Sequence, residues 1–175
     1  GPPPRGRFPN VAPDRETLQT SFSGKVVLVT GGSRGIGKAI GLAFAREGAR
    51  LAMAARTIDE LRASAQEVEA LGAETLIIPT DVTEQGQVDE MVRSTLDRYS
   101  RIDILVNNAG IATFGLVESF SMEQVRQQFE VNVFGTLRVN QAVLPHMRQR
   151  GSALLLYISS GAGRVLLPIA GIYSA

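Results

Sequence analysis

The feature that most constrains the fold is an alternation of two residue patterns along the chain. Short runs of β-branched and aliphatic residues alternate with stretches in which apolar residues recur at the spacing of one helix face. Continuous apolar runs are typical of parallel strands buried on both faces, and right-handed crossover helices then cover those faces. The sequence therefore predicts an α/β fold, a doubly wound, Rossmann-like parallel sheet with strand order 3-2-1-4-5. The predicted strands are 25–30, 51–55, 75–78, 102–106 and 154–158.

The helices between these strands are predicted from apolar stripes and from start and stop signals. The first ends near Gly48, and the third begins at Thr83. Residues 57–60 and 121–124 have the spacing of capping boxes, in which two side chains each accept a backbone N–H of the other residue. These boxes predict the start of the second helix and of a long helix that reaches toward Pro145.

The N-terminal stretch differs in composition from the rest of the chain. Residues 1–23 include five prolines, which cannot maintain a regular ladder of backbone hydrogen bonds. We therefore expect a flexible, Pro-rich arm over 1–23 and a single folded domain over 24–175. Because the sequence does not begin with methionine, its start is either processed or the chain is a fragment.

Composition excludes several classes of function. The chain has no cysteine, which removes disulfides, thiolate catalysis and Cys-based zinc sites, and we predict no metal site. A net charge of +1 gives no field that would attract nucleic acid, and no apolar run approaches the roughly 20 residues of a membrane span. The only histidine, His146, is expected at a helix end in a surface or capping role. We expect a cytoplasmic protein.

A glycine-rich turn joins the first predicted strand to the first predicted helix. Glycines at such a junction allow a tight turn, close approach of a pyrophosphate and packing of helix on strand, while the helix N–H groups face the phosphates. This placement predicts dinucleotide binding; the alternative is an ordinary glycine-rich loop. The turn consists of Gly31, Gly32, Ser33, Arg34, Gly35, Ile36 and Gly37.

The motif Thr-Gly-x-x-x-Gly-x-Gly over 30–37 resembles the cofactor turn of the short-chain dehydrogenase/reductase family. Further segments agree with that family in order and distance over 25–175. The resemblance implies that Asp81 and Val82 contact the adenine and that Asn108, Ala109 and Gly110 belong to the cofactor site. The remaining matches are Asn132, Ser160 and Tyr173, the last of which lies thirteen residues beyond the serine.

The resemblance implies the chemistry of these three residues. Tyr173 would be the general acid/base at the substrate oxygen, Ser160 would polarise the carbonyl, and Asn132 would help to hold a water-mediated proton path. In the family a lysine four residues after the tyrosine lowers the phenol pKa from about 10. That position would lie beyond Ala175. We therefore expect an incomplete dinucleotide-binding domain over 24–175, an active whole protein and an inactive 175-residue chain.

The residues at the end of the second strand indicate which cofactor is bound. A carboxylate there would bind the ribose 2′-hydroxyl and repel a 2′-phosphate, but this chain has Ala55 followed by Arg56. With Arg34 in the glycine turn, two guanidinium groups favour NADP(H) over NAD(H), unless both are merely solvated. The nearby Asp59 and Glu60 are explained by the dipole of the helix that they begin.

The predicted function is an NADP(H)-dependent oxidoreductase that interconverts a small-molecule carbonyl and an alcohol. The resemblance extends to 3-oxoacyl-reductase-like and to retinol- or hydroxysteroid-dehydrogenase-like members, and it implies a homodimer or homotetramer for the whole protein. The alternative is a truncated, inactive cofactor-binding or interaction protein on the same fold. In the 175-residue chain we also expect strand five to form an exposed apolar edge of the sheet.

Overall fold

The computed structural model describes residues 22–165 and 168–175. Most of the predicted N-terminal arm therefore lies outside the described residues. Of that arm only Phe22 and Ser23 are described, and Phe22 packs edge-on against Phe44 with ring centroids 5.0 Å apart. The backbone N–H of Phe22 also donates to the carbonyl of Glu47 at 3.0 Å. The folded unit thus includes Phe22.

Five parallel strands form one sheet in the order β3-β2-β1-β4-β5, which confirms the predicted fold class and strand order. In the centre of the sheet Leu28 pairs with Ala52 on one side and with Leu105 on the other. Every residue of β1 is buried, as expected for a strand covered on both faces. The strands are β1 Val26–Thr30, β2 Arg50–Ala55, β3 Thr75–Pro79, β4 Ile104–Asn107 and β5 Leu154–Tyr157.

Helices cover both faces of this sheet, and alternate residues of β1 point to different layers. Val26 and Leu28 pack with residues of the third and fifth helices, whereas Val27 and Val29 pack in the layer that contains Leu61 and other residues of the first two helices. The helices are α1 Gly35–Arg46, α2 Ile58–Glu69, α3 Gln85–Tyr99, α4 Met122–Phe129 and α5 Thr136–Arg150, with a π-helical turn over Glu130–Gly135 between the last two.

One of the two predicted capping boxes forms and the other does not. The Ser121 hydroxyl accepts from the N–H of Gln124 at 3.2 Å, and the Gln124 side chain accepts from the N–H of Ser121 at 2.9 Å. At Thr57 the predicted box was wrong, because its side chain makes no capping bond. The Glu60 carboxylate accepts from the hydroxyl of Ser33 instead.

Two predicted helix boundaries were also wrong. Helix α3 begins at Gln85 rather than at Thr83, because the backbone N–H and hydroxyl of Thr83 both donate to the Asp81 carboxylate in the preceding turn. The long helix does not end near Pro145, which lies inside α5; the helix continues to Arg150 and stops at Gly151 in the left-handed conformation. His146 is therefore an internal residue of α5 rather than a helix-end residue.

Tyr99 is the last residue of α3 and has a structural role. It is buried, and its hydroxyl donates to the carbonyl of Leu51 at 3.3 Å. Burial and the charge of Glu74 raise the pKa of this phenol to about 12. The group is therefore neutral throughout the physiological range.

Candidate active site

A cleft of about 770 Å³ opens at the carboxyl ends of the strands. It lies where β1 and β4 are neighbours and the strand order reverses, which is the usual ligand site of doubly wound sheets. All the predicted site residues line it except Gly32, Gly35 and Gly37. The lining residues from the prediction are Gly31, Ser33, Arg34, Ile36, Arg56, Asp81, Val82, Asn108, Ala109, Gly110, Asn132, Ser160 and Tyr173.

The three glycines that do not line the cleft shape the turn instead. A Cβ on Gly37 would lie 2.2 Å from the carbonyl oxygen of Gly31, so that only glycine lets α1 approach the turn this closely. Gly35 has φ of 54°, in the left-handed region. The backbone N–H of Gly32 donates to the carbonyl of Ala54 at 3.0 Å, which ties the turn to the end of β2.

The N-terminus of α1 is suited to an anion. Its N-cap residue, Arg34, makes no side-chain capping bond, and the first turn contains no acidic residue. The first backbone N–H groups of a helix have no partner within the helix and carry partial positive charge. With Gly31 lining the cleft, these residues fit the pyrophosphate of a dinucleotide, and they would hold it against the N-terminus of α1.

Asn108 ties the glycine turn to β4. Its side-chain amide donates to the carbonyls of Thr30 and Gly31 at 3.0 and 3.1 Å. The buried hydroxyl of Thr30 completes the junction: it donates to the carbonyl of Val106 at 3.2 Å and accepts from the N–H groups of Asn108 and Ala109, each at 3.1 Å. Asn108 is therefore a positioning residue at the floor of the cleft.

Asn132 holds the loop that follows β4. Its side-chain oxygen accepts from the N–H of Ile111, and its side-chain amide donates to the carbonyl of the same residue, both at 2.8 Å. Asn132 lies in the π-helical turn, and its own backbone carbonyl accepts from the hydroxyl of Thr136 at 3.0 Å. π-Helical turns are rare and are frequent at functional sites.

Asp81 and Val82 shape the wall of the cleft beyond β3. One carboxylate oxygen of Asp81 accepts from the N–H and the hydroxyl of Thr83 at 2.9 and 2.8 Å, and the N–H of Asp81 donates to Gln87 at 2.8 Å. Val82 is buried against Gly135, where an added Cβ would lie 2.7 Å from a methyl carbon of the valine. The loop after β3 thus packs directly on the π-helical turn.

Ser160 and Tyr173 lie on the opposite side of the cleft, beyond β5. The Ser160 oxygen accepts from the N–H of Ala162 at 3.2 Å, which orients the side chain and leaves the hydroxyl hydrogen able to donate. Tyr173 is half-buried and packs edge-on against Phe114, with ring centroids 5.7 Å apart. Both residues border the same cleft as the glycine turn.

The two arginines of the cofactor prediction lie at the end of the cleft formed by β2 and the glycine turn. Arg56 is exposed directly after Ala55. The Arg34 side chain is 82% exposed and lies 3.6 Å from the Glu60 carboxylate. Glu60 also accepts from the Ser33 hydroxyl at 3.0 Å. The assignment of Glu60 to the helix dipole alone was therefore incomplete.

Thr30 and Asn107 belong to the matched motifs, but the sequence predicted neither their contacts nor the part played by Asn140. Thr30 makes the junction described above. The side-chain amide of Asn107 donates to the side-chain oxygen of Asn140 at 2.9 Å, and both residues are buried. Asn107 lines the cleft, and within the described part of the chain its side-chain oxygen is buried without a hydrogen-bond partner. Asn107 directly precedes the matched residues Asn108, Ala109 and Gly110, whereas no feature of the sequence indicates Asn140 as its partner.

A match to the short chain dehydrogenase family model extends over residues 25–175, and the chain belongs to this family. The ketoacyl reductase HetN of Nostoc sp. is 34% identical over 156 residues, which cover 89% of this chain and 54% of that protein. The crystal structure of NAD+-bound xylitol dehydrogenase matches with a TM-score of 0.85 at 30% identity, over 87% of this chain and 59% of that one. The structure of an alcohol dehydrogenase from the archaeon Thermococcus sibiricus, complexed with 5-hydroxy-NADP, matches with a TM-score of 0.81 at 36% identity. The match covers 86% of this chain and 64% of that one.

The chain thus has the fold of the short-chain dehydrogenase family, and it spans 54–64% of the length of these three relatives. Among residues 22–165 and 168–175 no helix is long and apolar enough to cross a membrane. The same residues contain no cluster of acidic and histidine side chains that could hold a metal ion.

Proposed function

We propose that the whole protein is an NADP(H)-dependent oxidoreductase that interconverts a carbonyl and a primary or secondary alcohol. The observation that carries this proposal is that a single cleft is lined by the glycine turn, by the loop after β4 and by Ser160 and Tyr173. A bound nicotinamide cofactor supplies or accepts the hydride, and the protein supplies binding, orientation and the proton.

The proton is exchanged at the hydroxyl of Tyr173. In reduction the phenol gives its proton to the substrate oxygen while the carbonyl carbon gains the hydride; in oxidation both transfers reverse. Ser160 donates a hydrogen bond to the same oxygen, since its own oxygen is already oriented by the N–H of Ala162. Asn132 keeps the facing loop in place through its paired bonds to Ile111 and helps to hold the path along which Tyr173 exchanges its proton with water.

The preference for NADP(H) over NAD(H) is supported by the end of the cleft at β2. Arg34 and Arg56 are exposed there, and Ala55 occupies the place where a carboxylate would select the 2′-hydroxyl. Because guanidinium groups pair strongly with phosphate, they would hold the 2′-phosphate of the cofactor. Asp81 and Val82 would border the adenine.

Apolar residues next to Tyr173, beyond the cleft lining itself, support a small molecule with apolar bulk beside its carbonyl, as in 3-oxoacyl-reductase-like or retinol- or hydroxysteroid-dehydrogenase-like enzymes. Phe114, which packs on Tyr173, is 55% exposed, and Ile169 is also exposed. The N–H of Gly115 donates to the carbonyl of Ile169 at 2.8 Å, which joins these two segments. A cytoplasmic location and a homodimeric or homotetrameric assembly of the whole protein are part of the same proposal.

The test is the substitution Tyr173→Phe in the whole protein, assayed on a panel of apolar and polyhydroxylated carbonyl compounds with NADPH. Loss of the phenol should leave cofactor affinity nearly unchanged and should lower kcat to below about a tenth of the wild-type value, because only the proton donor is removed. Tyr157, which also lines the cleft at the end of β5, supplies the matched control Tyr157→Phe. A Tyr173→Phe enzyme with more than about a tenth of wild-type kcat would show that another group is the acid.

A further inference from the structure

We propose that Glu60 competes with the 2′-phosphate of the cofactor for the donors of the glycine turn and thereby moderates the preference for NADP(H). This inference rests on the proposed function, because it concerns the same cleft. Its basis is that one carboxylate, on α2, engages two side chains of the turn: the hydroxyl of Ser33 at 3.0 Å and the guanidinium of Arg34 at 3.6 Å.

The position of Glu60 makes this contact possible. It lies in the first turn of α2, where a glutamate would ordinarily complete a capping box with Thr57. That box does not form, and the carboxylate reaches the turn between β1 and α1 instead. Ser33, Arg34 and Arg56 line the cleft, whereas Glu60 does not, so that the carboxylate approaches the turn from outside the cleft.

The donors that Glu60 engages are those a phosphate group would need. Phosphate oxygens are strong acceptors and pair with hydroxyl and guanidinium groups just as a carboxylate does. A cofactor with a 2′-phosphate must therefore exchange or share these donors with Glu60, and the two negative charges also repel each other. A cofactor with a 2′-hydroxyl brings no such charge and is little affected.

The size of the expected change in affinity follows from the solvent exposure of the two side chains. The Arg34 side chain is 82% exposed and that of Glu60 is 41% exposed, so their attraction is screened by water. Pairs of this kind contribute roughly 0.2–1 kcal/mol, which corresponds to a change in affinity of up to about five-fold. The opposite function, in which Glu60 orients Arg34 toward the phosphate, would give an effect of opposite sign.

The experiment titrates adenosine 2′,5′-bisphosphate and adenosine 5′-monophosphate into the purified protein by calorimetry. These probes differ only in the 2′-phosphate and do not require the substrate side of the cleft. Glu60→Gln keeps an acceptor for Ser33 and removes the charge. We expect it to bind the bisphosphate about two- to five-fold more tightly than the wild type, with the monophosphate unchanged and the gain reduced in high salt.

Asp59→Asn is the matched control. It removes the same charge from the adjacent position of the same helix turn, but Asp59 pairs with Arg62 on the surface at 3.2 Å. We expect this variant to have the same ratio of affinities for the bisphosphate and the monophosphate as the wild type. Equal or weaker binding of the bisphosphate by Glu60→Gln, or an equal gain in Asp59→Asn, would overturn the inference and leave the proposed function standing. A wild type that binds neither probe would overturn the proposed function, and the inference with it.

Discussion

Arg56 follows the last residue of β2, and its side chain is exposed at the end of the cleft. Replacing it by alanine should weaken NADPH binding by about 1.5–3 kcal/mol, as for the loss of hydrogen bonds to a charged group, and should leave NADH binding nearly unchanged. Fluorescence titration of both reduced cofactors measures this difference. Arg62→Ala, which removes a surface arginine of α2, should alter neither affinity. Equal affinity of the wild type for the two cofactors would defeat the proposed preference.

The residues that sequence reasoning located and those it missed differ in how they are recognised. Ser160, Tyr173 and Asn132 belong to a pattern of residue types at fixed spacing, and all three line the cleft. Thr30 begins the glycine-turn motif, but its contact with Asn108, 78 positions away, and the contact of Glu60 with Ser33, 27 positions away, follow no such pattern. Such pairings depend on how the strands and helices pack and leave no local signal.

At the scale of elements, the π-helical turn is the feature that periodicity could not predict. The apolar pattern over 121–145 fits one continuous helix, yet α4 and α5 are separated by a turn that contains Asn132. Two tertiary contacts are made from this π-helical turn: the hydrogen bonds between Asn132 and Ile111, and the packing of Gly135 on Val82. The strands, by contrast, were predictable because buried parallel strands are marked by their own residues, and right-handed crossovers in a doubly wound sheet then restrict their order.

Gly135→Ala tests the packing of the π-helical turn. The new Cβ would lie 2.7 Å from a methyl carbon of Val82, a buried and stiff β-branched side chain, so the substitution should cost about 1–3 kcal/mol of unfolding free energy. Val82→Ala should relieve the clash in the double variant, and urea denaturation measures the coupling between the two sites.

Gly86→Ala supplies the comparison for that experiment. It introduces the same methyl group in α3, where nothing lies within 4 Å of the added Cβ, and helix propensity should make it neutral or slightly stabilising. If Gly135→Ala were as well tolerated as Gly86→Ala, the contact with Val82 would not constrain the turn.

At the scale of the whole molecule, the amino ends of the strands are joined through Asp103. Its carboxylate accepts from the N–H of Val26 at 2.9 Å and from Arg101 at 2.7 Å, and lies 3.6 Å from Arg150 at the end of α5. Burial of this carboxyl raises its pKa, but the hydrogen bonds from Arg101 and Val26 and the charges of Arg101 and Arg150 outweigh burial and hold the pKa below the ordinary value of 3.8.

A carboxyl whose pKa is depressed in the folded state stabilises the fold above its unfolded pKa, and this stabilisation is lost as the pH falls through the folded pKa. Unfolding free energy should therefore fall as the pH drops below about 4. Asp103→Asn should cost about 1.5–3 kcal/mol at neutral pH, and its difference from the wild type should shrink in acid. Urea denaturation of the wild type and of Asp103→Asn, from neutral pH to below about pH 4, measures the fall in unfolding free energy and the difference between the two proteins. A difference that stayed constant down to the lowest pH would contradict the assignment.

The sheet ends at β5 among the described residues, and this edge is apolar. Leu154 is 44% exposed, and Tyr157 and Ile158 are also exposed. An exposed apolar edge strand invites pairing with another chain, and each uncovered leucine forfeits roughly 1.5–3 kcal/mol of burial. The 175-residue chain by itself should therefore associate as its concentration rises, as measured by light scattering.

Leu154→Lys should reduce that association, because charge on an edge strand opposes pairing. A wild-type chain of 175 residues that is a monodisperse monomer, with a cooperative thermal transition above about 50 °C, would contradict the prediction.

The π-helical turn also lets the segment between α4 and α5 hold one additional residue. A turn closed by i→i+5 hydrogen bonds contains one residue more than an α turn, and each α-helical residue advances the direction of its side chain by about 100°. Deleting one residue from 130–135 would therefore convert the π turn to an α turn, so that Val139, Val143 and Met147 would stay buried against the sheet while Asn132 would be displaced from Ile111. The additional residue of this segment thus serves the placement of Asn132 and not the packing of α5 on the sheet.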